Sequence, residues 1–256
     1  MRILAIGDVV GPNGVEFLQT HLNSFKRLKN IDFCIANGEN STYGNGIVRN
    51  AARELICAGV DVITMGNHTF DKADIISMFD EFPIIRPANY PSGTPGDGYI
   101  LLEVGNFTVA VINLMGRVNM DAIDCPFQRV NHILKKIKNA TNIIIVDFHA
   151  EATSEKLALG FHLDGKVSAV FGTHTHVQTA DERILDGGTA YITDIGMTGP
   201  INSILGVKKE IIIDKFITKI HKKFELSVNP IQFNGVIFDI DENTGLAESI
   251  ERVSFM

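Results

Sequence analysis

A chain of 256 residues offers one large core or two small ones, and we read residues 1–256 as a single domain. With 45% apolar and 21% charged residues it matches globular averages, which excludes disordered, collagen-like and coiled-coil chains. The 23 basic against 30 acidic residues give a formal charge of −7 without a long basic block, so neither duplex nucleic acid nor an anionic membrane is the expected partner.

In chain order, the apolar run over residues 3–6 is short and is followed by Gly7-Asp8 rather than a cleavage site. It reads as a strand, not a signal peptide or a membrane span. Asn13 is expected to cap a helix to about Lys29, with Glu16 at the reciprocal position and Phe17, Leu18, Leu22 and Phe25 as the apolar stripe. Further apolar runs occupy residues 33–36, 60–65, 143–146 and 167–171, and continuous rather than alternating apolarity marks strands buried on both faces. Helices are predicted over 49–58, 74–81, 127–139 and 154–161, and a hairpin over 99–104 and 107–112 turns at Gly105-Asn106. Residues 83–98 are turn-rich and read as a surface loop. A helix with a basic end is predicted over 208–223, then strands over 225–228, 234–240 and 249–255. This alternation predicts an α/β fold with mixed sheets and helices outside. Cys34, Cys57 and Cys125 form no CxxC pair, and no apolar stretch approaches membrane length, so a reducing cytoplasm is the expected location.

Metal-competent side chains directly follow the apolar runs: Asp8, Glu39 and Asn40, Asn67 and His68, His149, then His174 and His176. The carboxyl ends of parallel strands are where ligands bind in α/β sheets, and loops there converge from distant parts of the chain. Taken singly, each of these residues is also a turn former or a packed core group; the joint pattern points to a metal site. Hard oxygen and imidazole donors without thiolate suit manganese, iron or zinc better than calcium. His21, His132, His162 and His221 fall within predicted helices or at their ends and read as surface or packing groups, and Lys135-Lys136, Lys208-Lys209 and Lys222-Lys223 read as solvated helix faces, with contact to a substrate phosphate as the alternative.

Gly7-Asp8, Gly66-Asn67-His68-Thr69-Phe70-Asp71, His149 and Gly172-Thr173-His174-Thr175-His176 follow in order over about residues 3–200, and in this the sequence resembles the calcineurin-like metallophosphoesterases. Thr173 stands between the Gly and the first His of the last motif, Val10 replaces the usual His of the first, and Glu39 replaces the usual bridging Asp. Those departures, with residues 147–156 and 193–200, are similar to a small bacterial branch, the YmdB-like proteins, which are phosphodiesterases acting on cyclic nucleotides. The resemblance implies two mixed β-sheets packed as a sandwich flanked by helices. It implies two divalent ions, iron or manganese before zinc, one held by Asp8, Glu39, Asn40 and His176 and the other by Glu39, Asn67, His149 and His174. The implied substrates are 2′,3′-cyclic monophosphates, with 3′,5′-cyclic AMP as a further candidate. Oligomers are common among such proteins, and residues 199–204 with the basic helix after them are the candidate surface for a homo-oligomer, unless the same chain buries them.

Two cations about 3.5–4 Å apart stabilise both ends of an in-line displacement and make a bridging hydroxide available near neutral pH. They also supply positive charge that an acidic chain lacks. By the resemblance His68 is not a ligand but faces the phosphate as general acid, and Asp71 and Asp147 are candidates to orient imidazoles. A phosphomonoesterase or nucleotidase would use the same core, and a metal-containing nucleotide sensor is the non-enzymatic alternative. A TIM barrel would need eight regular βα units, which the sequence lacks.

Overall fold

The computed structural model describes residues 1–228 and 230–256. In chain order the elements are β1 (Arg2–Ile6), β2 (Asp8–Val9), α1 (Gly11–Lys29), β3 (Phe33–Asn37), α2 (Arg49–Cys57), β4 (Val62–Thr64), α3 (Ile75–Met78), β5 (Ile84–Ile85), β6 (Tyr99–Val104), β7 (Phe107–Met115), α4 (Pro126–Ile137), β8 (Ile143–His149), α5 (Thr153–Leu163), β9 (Ala169–Thr173), β10 (Arg183–Ile184), β11 (Ala190–Ile192), β12 (Met197–Pro200), α6 (Lys209–Thr218), β13 (Ile231–Ile240) and β14 (Ala247–Phe255).

The strands form two sheets. The first runs β2-β12-β13-β1-β3-β4-β5, with β14 added beside β13, and the second runs β10-β11-β9-β8-β7-β6. Parallel pairing links β1, β3, β4 and β5 in one and β7, β8, β9 and β11 in the other, while β13, β14 and the β6–β7 hairpin pair antiparallel, so both sheets are mixed.

Successive strand residues point to opposite faces, which explains the unbroken apolar runs. Ile3 and Ala5 of β1, Ile35 of β3, Val111 of β7, Ile145 of β8 and Phe171 of β9 meet between the sheets. Their neighbours turn outward: Leu4, Ile6 and Ala36 pack under Leu18 and Leu22 of α1 and Leu55 of α2. On the far side, Ile144 and Val146 pack under Val130 and Ile133 of α4 and Leu159 of α5. The result is a helix–sheet–sheet–helix sandwich in which each central strand feeds two cores, and each fully buried aliphatic or aromatic side chain contributes about 1.5–3 kcal/mol.

Several boundaries differ from the sequence reading. Asn13 does not cap α1: the helix starts at Gly11 after an extended Val10 that has no side-chain cap, Pro12 sits in the first turn, and Asn13 Nδ2 donates to the Val228 carbonyl at 2.9 Å. Proline needs no amide partner there and its φ is preset for helix, so the start is set without a polar cap. The helix predicted over 74–81 shortens to α3. That over 208–223 ends at Thr218, where Lys219 turns left-handed at φ 60°. Residues 225–228 supply only a Val207–Leu226 bridge, because residues 221–225 are exposed and offer no face for a sheet to bury. The segment over 83–98 is not simply a surface loop. Ile84 and Ile85 form β5, the buried Arg86 donates to the carbonyls of Pro87, Thr94 and Pro95, and the buried Asn89 donates to those of Met115 and Asp124. The two- to four-residue strands β2, β5 and β10 to β12 are too short to show a period. None of the described helices is long and apolar enough to cross a membrane.

Gly172 lies in β9 where a Cβ would overlap the Thr193 carbonyl oxygen, a backbone atom that cannot swing away. Gly172→Ala should therefore lower stability by about 1–3 kcal/mol, read as a lower denaturation midpoint with an unchanged m-value.

Candidate metal centre

The sandwich brings the polar strand ends to one edge. Asp8 follows β1, Glu39 and Asn40 follow β3, and Asn67 and His68 follow β4, all from the first sheet; His149 ends β8, and His174 and His176 follow β9 in the second. Asp8, Glu39 and His149 are buried, and His176 nearly so.

These side chains form one connected group. Glu39 Oε1 lies 2.8 Å from His149 Nε2. The same nitrogen is 2.9 Å from Asn67 Oδ1 and 3.0 Å from His174 Nδ1. Glu39, His149 and His174 each offer a ligand atom within 4.8 Å of the others. On the other side, Asp8 Oδ1 is 3.6 Å from His176 Nε2, and Asn40 Nδ2 is 3.3 Å from that nitrogen and 3.5 Å from Glu39 Oε1. Glu39 thus touches both halves of the group. Gly66 makes this approach possible, because a Cβ there would overlap His149 and the Glu39 carboxylate.

A supporting layer sets how the imidazoles face. The Thr173 hydroxyl donates to Asp147 Oδ1 at 2.7 Å, so at 2.9 Å it accepts the Nδ1 hydrogen of His149. That leaves Nε2 of His149 directed at Glu39, Asn67 and His174; the Glu39 carboxylate outweighs burial and pushes the imidazole up to about 9, so Nε2 carries a proton that a bound cation would replace. Asp147 also accepts from Thr64, and burial pushes its carboxyl up to about 7. It therefore reaches an imidazole through Thr173 rather than directly. His174 and His176 both have left-handed backbones, φ 96° and 64°, a conformation that costs a non-glycine residue about 1–3 kcal/mol. Asp194 offsets this: its carboxylate accepts from Thr175 N at 3.1 Å and Thr175 Oγ1 at 2.7 Å, and is itself held by the buried Lys156 at 2.7 Å. Asp8 Oδ2 accepts from His174 N at 3.2 Å.

The electrostatics follow from burial against neighbours. Burial pushes the Asp8 carboxyl up, but His176, His149 and the His174 N–H outweigh it and hold the group well below the usual carboxylate range. Burial likewise opposes ionisation of Glu39, and His149 more than compensates, so its carboxyl stays low. Burial and the neighbouring His149 push His174 down to about 4, keeping its nitrogens free to donate electron pairs. The donor set of carboxylate, amide and imidazole atoms, with no thiolate, fits a divalent transition ion. One buried atom agrees: Asp8 Oδ1, which faces His176 Nε2 at 3.6 Å, has no hydrogen-bond partner among the described residues.

His68 stands beside the group rather than within it. Its Nδ1 is 2.8 Å from Asp71 Oδ2, its backbone N–H donates to Glu39 Oε2 at 2.9 Å, and Asn67 Nδ2 lies 3.1 Å from its Nε2. Asn45, from the loop after β3, lies 3.2 Å from Nδ1. All of this opens into a cleft of about 1080 Å³. Lys223 is exposed as the sequence reading expects, but it stands outside a helix and lines that cleft: α6 has ended five residues earlier and the chain folds back over the site. Asn45 lies in the segment 43–48, a candidate rim loop by its position, whereas Thr173, Lys156 and Asp194 have no role assigned from sequence. Thr173 carried a signal, as the extra residue between Gly172 and His174, whereas a buried lysine looks like a surface one in sequence.

Lys156 and Asp194 are both almost wholly buried, and removing one partner of such a pair leaves the other charged and unsolvated. Lys156→Met should cost about 3–5 kcal/mol in chemical denaturation, much more than exchange of an exposed lysine such as Lys135.

With this geometry, the likenesses to known proteins become specific. A family model described as YmdB-like protein matches residues 4–253. The 2′,3′-cyclic-nucleotide 2′-phosphodiesterase of Bacillus subtilis is 48% identical over 254 residues, 99% of this chain and 96% of the relative. Among solved structures, a protein of Thermus thermophilus superposes with a TM-score of 0.94 at 39% identity, covering 100% of this chain and 99% of that one. A phosphatase of Mycoplasma pneumoniae superposes with a TM-score of 0.93 at 36% identity, covering 100% and 93%. Since match and superposition run across both sheets and through every strand end that carries the centre, the chain belongs to the YmdB-like family of the metallophosphoesterase fold.

Proposed function

We propose that this chain is a divalent-metal-dependent phosphodiesterase that hydrolyses 2′,3′-cyclic nucleotides, and that residues 1–256 act as one domain. The observation that carries the reading is the meeting of seven ligand-type side chains at one edge of the sandwich, four of which, Glu39, Asn40, His174 and His176, line the cleft, with the His68–Asp71 pair at its side. The activity of the Bacillus subtilis relative supports the substrate class.

Asp8, Glu39, Asn40 and His176 are the ligands we assign to one cation and Glu39, Asn67, His149 and His174 to a second, with Glu39 shared. Iron or manganese is the expected metal, and zinc the alternative. When bound, such cations supply Lewis-acid charge for the phosphoryl oxygens and lower the pKa of bound water from about 15.7 towards about 7.

The chain's own residues do the rest. Asp71 accepts the Nδ1 hydrogen of His68, which turns Nε2 towards the cleft. His68 then delivers the Nε2 proton to the leaving 2′ oxygen. The water oxygen becomes bonded to phosphorus, the P–O2′ bond breaks, and a 3′-phosphate is released. Thr173 and Asp147 fix the His149 tautomer, and Asp194 with Lys156 holds the backbone that carries His174 and His176.

Hydrolysis of bis-p-nitrophenyl phosphate against p-nitrophenyl phosphate tests the reading. Manganese-loaded chain should cleave the diester in preference, chelator should abolish turnover, and Asn67→Ala should lose both activity and metal; preference for the monoester would make the chain a phosphomonoesterase. His68→Ala should keep its metal content and lose at least about 10²-fold in turnover of 2′,3′-cyclic AMP. Near-normal turnover by the metal-loaded variant would remove His68 from proton transfer.

A further inference from the structure

The cleft is built for more than one small diester. At about 1080 Å³ it lies just above the roughly 300–1,000 Å³ range of small-molecule sites, and the ligand-type side chains make up only part of its lining. The opposite wall comes from α6 and the segment after it. Ile212, Lys215 and Phe216 stand at i, i+3 and i+4, on one face of the helix, and Lys223, Phe224 and Leu226 continue the surface. Phe216 is 68% exposed and Phe224 48%, so two aromatic rings are held in solvent beside a polar centre. Lys215 Nζ lies 4.7 Å from the centre of the Phe224 ring. Nearby Lys208 and Lys222 are neutralised by Glu225 and Asp214, but among the described residues Lys215 and Lys223 have no carboxylate partner.

Aromatic faces interleaved with free ammonium groups are how proteins hold single-stranded nucleic acid: bases stack on the rings, phosphates meet the cations, and neither contact depends on sequence. The centre and His68 serve one phosphate, which leaves the two lysines for a second. We propose that the cleft takes the 3′ end of a short single-stranded ribonucleotide that terminates in a 2′,3′-cyclic phosphate. The cyclic phosphate lies at the ligand wall, a base lies against Phe216 or Phe224, and the preceding phosphate meets Lys215 and Lys223. The inference rests on the phosphodiesterase reading and extends its substrate class. The chemistry is the same: water adds to phosphorus, the P–O2′ bond breaks with a proton passing to O2′, and the oligonucleotide leaves with a 3′-phosphate.

Three substrates test this with metal-loaded chain: the 2′,3′-cyclic phosphate of a methyl riboside, which has no base, 2′,3′-cyclic AMP, and an adenine dinucleotide ending in a 2′,3′-cyclic phosphate. kcat/KM should rise by about ten-fold or more from the mononucleotide to the dinucleotide. Phe216→Ala and Lys223→Gln should lower it for the dinucleotide about ten-fold more than for the baseless compound. A readout without turnover accompanies this. A dinucleotide carrying 2-aminopurine and ending in a 3′-phosphate, the product that is not turned over, should lose fluorescence on binding metal-loaded chain, and Phe216→Ala should remove that quenching. Equal kcat/KM across the three substrates, an equal loss in each variant, or a Phe216→Ala chain that changes only its mass in solution would overturn the proposal. Cleavage of the baseless compound in those cases leaves the phosphodiesterase reading intact; cleavage of none would overturn both.

Discussion

A buried carboxylate held 2.8 Å from a buried imidazole is the contact on which the rest of this molecule depends. Groups packed this closely lose hydration and must share a proton or a cation between them, so they stay together only where the scaffold holds them. The forcing is visible at every level. β3 delivers Glu39 from one sheet and β8 delivers His149 from the other. Gly66 removes the side chain that would keep them apart, and the inner core keeps both strand ends at a fixed distance. Interiors packed to crystal-like density transmit such positions rigidly, so side chains far apart in sequence meet without a loop having to search.

The supporting groups answer a second requirement, which is orientation. An imidazole offers either nitrogen, and only the hydrogen bond made by one decides what the other does. Thr173 makes that decision for His149 and Asp71 makes it for His68. Asp194 works on the backbone instead, by holding Thr175 between two residues that both adopt a left-handed conformation. The buried Lys156 keeps Asp194 ionised enough to do so, against burial that pushes its carboxyl up.

How much of this was legible depends on how local the cause is. Strands such as β1, β3 and β8 stood out because burial on both faces removes polar residues altogether, and Asp8, Glu39, Asn67, His68, His149, His174 and His176 stood out because each follows such a strand. Effects that act through space left no trace. Lys156 looks like any helix lysine until Asp194 is found beside it, and nothing near residue 223 announces that the chain returns over the cleft. Asn13 misled because two signals for a helix start overlapped, and Pro12 prevailed.

The centre draws its side chains from both sheets, with Asp8, Glu39 and Asn67 from one and His149, His174 and His176 from the other. A cation held by such a set binds only the assembled sandwich, and by mass action it adds RT ln(1 + [M]/Kd) to the free energy of unfolding, about 4 kcal/mol at a thousand times its Kd. A centre so occupied would also be a clasp between the two sheets. Free metal in the surroundings would then set the stability of the fold as well as the fraction of chains that are active, and a chain starved of that metal would lose its activity first and the clasp's share of its stability with it.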